Sequence, residues 1–462
     1  MRKHTIEQTA IFLSVTKWLI LSSVVGIIIG GSVTFFLKIL QFSENSQKFL
    51  PFHYYYMLPF ALVLTVWLVR KFAPDAKGHG TEKVIEAVHK KSGKIEIAVI
   101  PIKLLATVLT VFSGGSVGKE GPGAQIGAGM ASATSDFFRF SKEDRKKLVI
   151  CGIGAGFASV FGTPIAGAIF GLEVLVVGLI RYEVLLPSFI AGFAAFSTAQ
   201  YLGIEYSYFD IRFHQHVELD LPLIMEVVLA GIFFGLISDI TITALKRIGR
   251  TVEKITLNLY LKAFLGGIVL ILLSFVVGEQ YFGLGLNTIN LILQPNPSIS
   301  ADIPWYSFLL KTVFTSITLG VGGSGGIVTP IFYIGATSGH WFGTLMGDHH
   351  IAFFGALGFV SVLAGTTNAP IAATIMAMEL FGLEVAHYAA LSVVISFLIT
   401  GHRSVFASQI LAMKKSNSLK IEMGEEIGVT KVDIEDEKIL DLRERLQLKR
   451  IQREIATRKT KK

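Results

Sequence analysis

Long apolar blocks separated by short polar segments occupy most of the chain. They lie at about residues 11–40, 52–70, 95–112, 121–138, 148–180, 184–203, 221–245, 263–280, 304–320, 327–346, 351–364, 370–383 and 385–401. A helix that crosses a bilayer perpendicular to its plane needs about 20 apolar residues, and several blocks are shorter. Short or half-spanning helices are tolerated where their broken backbone lines a cavity rather than lipid. The pattern therefore predicts an all-α polytopic membrane protein with broken and half-spanning helices.

Two glycine-rich segments interrupt these blocks at matching positions. Residues 114–128 read GGSVGKEGPGAQIGA and residues 322–336 read GGSGGIVTPIFYIGA, so that eight of the fifteen positions are identical. Residues 164–173 and 370–379 form a second matching pair, each beginning with Pro-Ile-Ala and ending with Glu. Internal repeats with glycine and proline breaks at equivalent places are typical of transporters whose substrate site lies between the halves.

The duplication sets the domain organisation. We assign residues 1–413 to a transmembrane domain with two repeats, over about 10–205 and 220–412, and residues 414–462 to a tail. The tail holds 14 Lys and Arg and 10 Asp and Glu, which predicts a solvated cytosolic segment. Ile439, Leu442 and Leu446 recur in it at helical spacing and indicate a short amphipathic helix.

Composition argues against the alternative of a soluble protein with duplicated glycine loops. Apolar residues make up 52% of the 462 residues, and mean hydropathy is +0.59. Charged residues make up 16%, well below the roughly 25% that is usual in soluble domains. The net charge of +8 is spread over several loops, so it does not indicate a nucleic-acid surface. The single cysteine, Cys151, lies in an apolar block and cannot form an intramolecular disulfide.

Loop charge predicts the orientation in the membrane. Residues 70–94 and 246–262 are rich in Lys and Arg, whereas residues 279–302 contain neither. Residues 205–220 are dominated by acidic residues, histidine and aromatics. By the positive-inside rule, the basic loops and both termini are cytoplasmic in a cell membrane. The apolar stretch at 11–40 is too long for a cleaved signal sequence and suits a first spanning helix.

The repeated glycine segments also carry candidate chemistry. A glycine-rich loop followed by a helix start exposes unpaired N–H groups beside the positive end of the helix dipole. Two such starts, after Gly118 and after Gly326, predict a shared anion site near the middle of the membrane. Lys103 and Lys311 each lie eleven residues before the first glycine of a repeat. They face the interior, where they offset anion desolvation, or they extend towards an interface.

Glu120 lies within the first glycine segment, and a carboxylate there would repel an anion. One use for it is as a tethered substitute anion, which fills the site when ionised and leaves it when protonated. Such a side chain is both a gate and a proton acceptor. The alternative is a glutamate that only stabilises the start of its helix.

These motifs resemble those of the CLC family of chloride channels and chloride/proton exchangers. Residues 118–122, Gly-Lys-Glu-Gly-Pro, resemble its G(K/R)EGP signature, and residues 326–330 resemble its GxFxP signature. Gly78, His79 and Gly80 fall where the family has its GSGIP loop, and the resemblance covers nearly all of residues 10–412. It implies a homodimer in the lipid bilayer, with a separate pore in each subunit built from two inverted repeats.

The resemblance implies a pathway for chloride or a similar small anion. Its chloride-binding residues would be Gly78, His79, Gly80, Gly118, Lys119, Glu120, Gly121, Ile327, Val328 and Phe406. Glu120 would be the external gate and proton acceptor. The matching motif positions are Pro122, Gly326, Thr329, Pro330, Glu173 and Val174. No metal, nucleotide or organic cofactor is implied, and the expected partners are the anion and protons.

Four residues depart from the family pattern. His79 replaces a serine, so an imidazole either takes the place of the hydroxyl donor or turns away and leaves only the loop backbone. Phe406 aligns with the pore tyrosine and lacks its hydroxyl. Val328 replaces the phenylalanine of GxFxP, a mild change because the contact is through backbone.

The fourth departure is Val174, where proton-coupled members commonly have a second carboxylate. Valine cannot carry a proton, so coupling is lost or protons use another route. We interpret Glu173, which Glu379 mirrors, as a structural helix-end carboxylate rather than a relay.

The sequence leaves two transport mechanisms open. Val174 favours passive conduction, and Glu120 together with the compact chain favours loosely coupled anion/proton exchange, which we prefer. A membrane enzyme is disfavoured because no HExxH or similar metal spacing occurs. A cation/proton antiporter would need paired carboxylates within the membrane, and the amide-rich loops suit the opposite ion.

Overall fold

The computed structural model describes residues 2–209, 221–294, 303–347 and 350–434. The helix expected around Ile439, Leu442 and Leu446 lies outside these ranges. The first half contains α1 Arg2–Ser46, α2 Leu58–Phe72, α3 Thr81–Lys90, α4 Val99–Phe112, α5 Glu120–Phe137, α6 Lys142–Phe161, α7 Pro164–Glu173 and α8 Leu185–Tyr201. The second contains α9 Leu221–Lys254, α10 Leu259–Val277, α11 Leu286–Leu293, α12 Ser307–Gly320, α13 Val328–Leu345, α14 Ile351–Thr367, α15 Pro370–Phe381 and α16 Leu383–Ile399. The predicted helical fold class is confirmed.

The two sets of eight helices repeat the same architecture. Helices α4 and α12 both have 14 residues, α5 and α13 both have 18, and α8 and α16 both have 17. Their neighbours also correspond: α5 packs on α6 as α13 packs on α14, and α1 packs on α8 as α9 packs on α16. The internal repeat therefore describes the arrangement of helices as well as the motifs.

Only some of the helices are long enough to cross a membrane alone. In the described ranges five segments meet that criterion: His4–Phe49, Tyr54–Phe72, Tyr182–Tyr201, Leu221–Lys254 and Leu259–Val277. Six further apolar helices have 10–17 residues, and the glycine-rich α5 and α13 begin inside the protein. The chain has the pattern of a multi-pass membrane protein, in which other parts of the protein bury the starts of α5 and α13.

The apolar block at residues 148–180 contains parts of two helices, α6 and α7. Helix α6 ends at Gly162, which has a left-handed φ of 74°, and Pro164 begins α7. The second repeat breaks in the same way, with Asn368 at φ 56° and Pro370 beginning α15. A left-handed residue ends a helix, and a proline lacking N–H suits the first turn of the next one.

The chain after α16 folds back on the helices. Strand β2, Ile410–Leu411, pairs in parallel with β1, Val176–Val177, and β3, Leu419–Lys420, pairs with β4, Asp433–Ile434. The Nζ atom of Lys415 donates to the carbonyl oxygens of Phe397 and Gly401, at the end of α16. The domain boundary at residue 413 stays a prediction, but residues 414–434 contact the helical part rather than extending away from it.

The side chain of His402 forms a hydrogen bond with the beginning of segment 414–434. Burial lowers the pKa of His402 to about 4, and the nearby Lys415 ammonium adds to the shift. The imidazole is therefore neutral near pH 7, and its Nε2 accepts the backbone N–H of Lys415 at 2.8 Å.

Candidate functional site

The two glycine segments meet inside the protein. The N–H of Gly118 donates to the carbonyl oxygen of Gly326 at 2.6 Å, and the N–H of Gly326 donates to that of Gly118 at 2.5 Å. Only glycine allows this approach, because a Cβ on Gly326 would lie 2.8 Å from the nitrogen of Gly121. Helices α5 and α13, one from each repeat, therefore begin at the same place, as the sequence predicted.

Reciprocal hydrogen bonds from α4 and α12 hold the two loops together. The N–H of Ser116 donates to Thr318 Oγ1 at 3.2 Å, and the N–H of Ser324 donates to Thr110 Oγ1 at the same distance. The donor loop and the acceptor helix belong to different repeats in each case. The position of the site is thus set by both halves of the chain.

Glu120 is buried at this junction and contacts the opposite repeat. Its side chain is 1% exposed and belongs to the first residue of α5. Oε2 accepts the backbone N–H of Thr329 at 3.0 Å, and the Thr329 hydroxyl lies 2.5 Å from both carboxylate oxygens. Thr329 is the second residue of α13, so the carboxylate occupies the amino-terminal end of that helix, where an anion would be stabilised.

The predicted amide donors are close together but are not all free. The Gly118 N–H is already used by Gly326 in this conformation. Lys119, Glu120 and Gly121 lie at the start of α5. Ile327 and Val328 lie at the start of α13 and are 3% and 1% exposed. Sequence reasoning treated Thr329 only as part of a motif, although it supplies both donors to Glu120.

Loop 78–80, which contains His79, packs against Gly121 at this junction. Gly78 and Gly80 have φ angles of 76° and 86°, which glycine adopts without strain. The ring of His79 lies 5.5 Å from that of Phe406, centroid to centroid, and Phe406 is fully buried. His79 and Phe406, two of the four residues that depart from the family pattern, are therefore in contact.

Two buried lysines hold equivalent loops of the two repeats. Lys103 Nζ donates to the carbonyl oxygen of Gly78 at 2.5 Å and to Ser324 Oγ at 3.1 Å. Lys311 Nζ donates to the carbonyl oxygens of Tyr281 and Gly283 at 3.1 and 2.8 Å. Both lysines are fully buried, so of the two alternatives the interior position is correct.

An open cavity of about 360 Å³ leads to loop 78–80 and the start of α13. We call it the basic vestibule; His79 and Ile327 lie on its wall. Its charged lining residues are Lys77, Lys246, Lys262 and Glu253. Three cationic groups against one carboxylate favour the entry of anions over cations.

Glu173 and Glu379 have equivalent roles at the ends of α7 and α15. Glu173 accepts the backbone N–H groups of Ile371 and Ala372 at 3.0 and 2.8 Å. Glu379 accepts those of Ile165 and Ala166 at the same two distances. Each carboxylate thus caps the first turn of the helix that contains the other.

We predict that Glu173→Gln lowers stability without changing proton coupling. The amide keeps only one acceptor oxygen for two N–H donors, which should cost about 1–2 kcal/mol. The thermal unfolding midpoint in detergent should therefore fall for Glu173→Gln. It should fall by a similar amount for Glu379→Gln, its counterpart in the other repeat. A fall in the proton-to-anion ratio of Glu173→Gln in liposomes would contradict the structural interpretation.

Val174 follows Glu173 and is fully buried. Its carbonyl oxygen accepts a hydrogen bond from Gln409 Nε2 at 2.9 Å. Gln409 also donates to the carbonyl oxygen of Thr367, at the end of α14. An apolar side chain is therefore packed at this position, and Gln409 links the backbone of Val174 to the end of α14.

Comparisons with known proteins agree with this architecture. The family model described as "Voltage gated chloride channel" matches residues 60–401. A chloride/fluoride channel protein of Pseudomonas syringae pv. tomato is 36% identical over 421 residues, which cover 88% of this chain and 90% of the relative. An uncharacterised protein of Methanocaldococcus jannaschii is 27% identical over 399 residues, which cover 86% and 96%.

Two solved structures are similar to most of the chain. A CLC-type fluoride/proton antiporter has a TM-score of 0.79 at 31% identity, covering 87% of this chain and 99% of that one. A slow cyanobacterial chloride/proton antiporter has a TM-score of 0.70 at 21% identity, covering 83% and 94%, and supports the fold. The chain belongs to the voltage gated chloride channel family, also called the CLC family. It is an anion-transporting membrane protein.

Proposed function

We propose that this protein exchanges a small anion, preferably fluoride, for protons across a cell membrane, with Glu120 as the gate. Each subunit of a homodimer would contain one pathway. The observation that carries the proposal is the position of the Glu120 carboxylate, which takes both the N–H and the hydroxyl of Thr329. These are donors that a transported anion would otherwise use at the start of α13.

Competition for these donors couples the anion to the proton. An arriving anion displaces the carboxylate from Thr329, and the displaced carboxylate then takes up a proton because it has lost its donors. When the proton leaves, the charged carboxylate returns and expels the anion. Backbone dipoles hold the anion more weakly than a full charge would, so that it can leave again.

Fluoride is the proposed anion because of two relatives. The Pseudomonas syringae protein is named a chloride/fluoride channel protein, and the most similar structure described above is a fluoride/proton antiporter. The site is consistent with a preference other than chloride, since His79 replaces the family's serine and Phe406 lacks the hydroxyl of its tyrosine. Chloride remains a second substrate in this proposal.

A passive channel is the second candidate. Val174 favours it, because a buried valine cannot transfer a proton. The two candidates differ in whether a proton gradient moves the anion.

We expect purified protein in liposomes to accumulate fluoride on one side of the membrane when a pH gradient is the only gradient imposed at the start. Proton movement and fluoride movement are recorded together with a pH electrode and a fluoride electrode. The same experiment with chloride should give slower movement. Fluoride that only equilibrates, whatever the pH gradient, would favour the channel and contradict the exchanger.

A further inference from the structure

Three buried polar atoms around loop 78–80 have no hydrogen-bond partner among the residues that the structure describes. They are His79 Nδ1, Glu82 Oε2 and Gln125 Oε1. Buried polar atoms are almost always paired with protein or with ordered water. They are grouped at one loop, and His79 of that loop lines the basic vestibule. The grouping therefore indicates a place where water or protons enter the protein.

The loop connects these atoms to the start of α5. A Cβ on Gly80 would lie 2.6 Å from the carbonyl oxygen of Gly121 and 3.1 Å from Gln125 Oε1. Gly121 follows Glu120 directly. The backbone next to His79 is thus in van der Waals contact with the turn that carries the gate.

Glu82 lies one turn beyond His79, at the start of α3. Its Oε1 accepts the N–H and the hydroxyl of Ser408, at 3.0 and 2.6 Å, and Oε2 has no partner in the part of the chain that the structure describes. Phe406, two residues before Ser408, contacts His79. The short segment 406–408 therefore contacts both titratable side chains, His79 through Phe406 and Glu82 through Ser408.

The surroundings of Glu82 suit a group that gains and loses a proton. Burial raises its pKa, and the hydrogen bonds from Ser408 oppose that shift. The charged groups that act on it are Lys83 and Glu86 of α3, and Glu82 in turn acts on Lys246 of α9, which lines the vestibule. Lys83 pairs with Glu86 at 2.8 Å, so neither neutralises Glu82 by direct contact.

We propose that Glu82 and His79 form the cytoplasmic proton route to Glu120, with Glu82 as the entry group and His79 as the relay. The proposal rests on the proton exchange of the proposed function. A proton taken up at Glu82 Oε2 passes through water to one ring nitrogen of His79, and the other ring nitrogen releases a proton towards Glu120. The imidazole returns to its first tautomer before the next transfer, so no net charge stays on it.

This route contains a carboxylate that is able to accept a proton, which the end of α7 lacks. Val174 has no titratable group, and both oxygens of Glu173 accept backbone N–H groups of α15. Glu82 has one oxygen bonded to Ser408 and one without a partner among the described residues. It is therefore better suited to accept a proton than either residue at the end of α7.

The test is the proton-to-anion ratio of Glu82→Gln in liposomes. Glutamine keeps an acceptor oxygen for Ser408 but does not titrate, so the anchor is retained and the proton step is lost. We expect proton movement to fall at least about tenfold. Fluoride efflux should persist within a few-fold, because Glu120 can still be protonated from the other side. Glu86→Gln, one turn further along the same helix and paired with Lys83, is the matched control and should keep the wild-type ratio.

Two further variants separate a relay from a structural role. Glu82→Asp restores a titratable group and should recover much of the lost coupling, while His79→Gln should lose coupling as Glu82→Gln does. An unchanged ratio in Glu82→Gln, beside a coupled wild type, overturns the route. A wild type that moves no protons at all would instead defeat the proposed exchange, and the two failures are therefore distinguishable.

Discussion

Replacing Glu120 by glutamine should abolish proton movement, reducing it at least about 100-fold, because the carboxylate that takes up the proton when the anion binds at the start of α13 is lost. Anion efflux should continue but should become nearly independent of pH. The amide cannot take the charged state that competes for the donors of Thr329. Paired recordings of fluoride and proton movement in liposomes between acidic and neutral pH measure both effects.

Glu143→Gln is the control for this prediction. Glu143 also lies in the first turn of its helix, α6, but it is exposed to solvent. If Glu120 only stabilised its helix dipole, the two substitutions would have similar small effects. If Glu120→Gln kept the wild-type proton-to-anion ratio, Glu120 would not be the gate, although the fold would be unaffected.

Gly326→Ala should reduce the anion flux at least about tenfold. Shifts near 1 Å in a reacting site have effects of that size or larger. The new Cβ would lie 2.8 Å from the nitrogen of Gly121 and 3.1 Å from the carbonyl oxygen of Gly118. These are backbone atoms, so relief requires the starts of α5 and α13 to separate. Overpacking of this kind also costs about 1–3 kcal/mol of stability.

Gly31→Ala provides the comparison. Gly31 lies inside α1, and a Cβ there meets no atom within 4 Å. It should leave flux unchanged and raise the thermal unfolding midpoint slightly, because alanine is the better helix former. Equal flux in Gly326→Ala and wild type would show that transport does not require the two loops to touch.

The meeting of the glycine segments could be predicted from the sequence because it follows from the repeat. Segments at equivalent positions of two related halves converge on the axis between them, which places Gly118 beside Gly326. The reciprocal contacts of Glu173 and Glu379 follow from the same relation. Local chemistry was sufficient in these cases, since glycine and helix-capping carboxylates have few other roles in an apolar surrounding.

Contacts outside the repeat could not be predicted in this way. Ser408 contacts Glu82 across 326 positions, and no spacing or motif relates the two. Helices α3 and α11 were also absent from the predicted blocks, because each is short and only partly apolar. The backbone bond between Gly118 and Gly326 depends on exact loop geometry, and for this reason the engaged Gly118 amide was not foreseen.

Calorimetry tests directly whether the anion and the Glu120 carboxylate compete for the donors of Thr329. Fluoride titrations in buffers of different ionisation enthalpy give the number of protons taken up when the anion binds. Linkage requires that displacement of the carboxylate raises its proton affinity. We predict proton uptake approaching one per bound fluoride in the wild type and none in Glu120→Gln. Binding without proton uptake in the wild type, or equal uptake in both proteins, would contradict it.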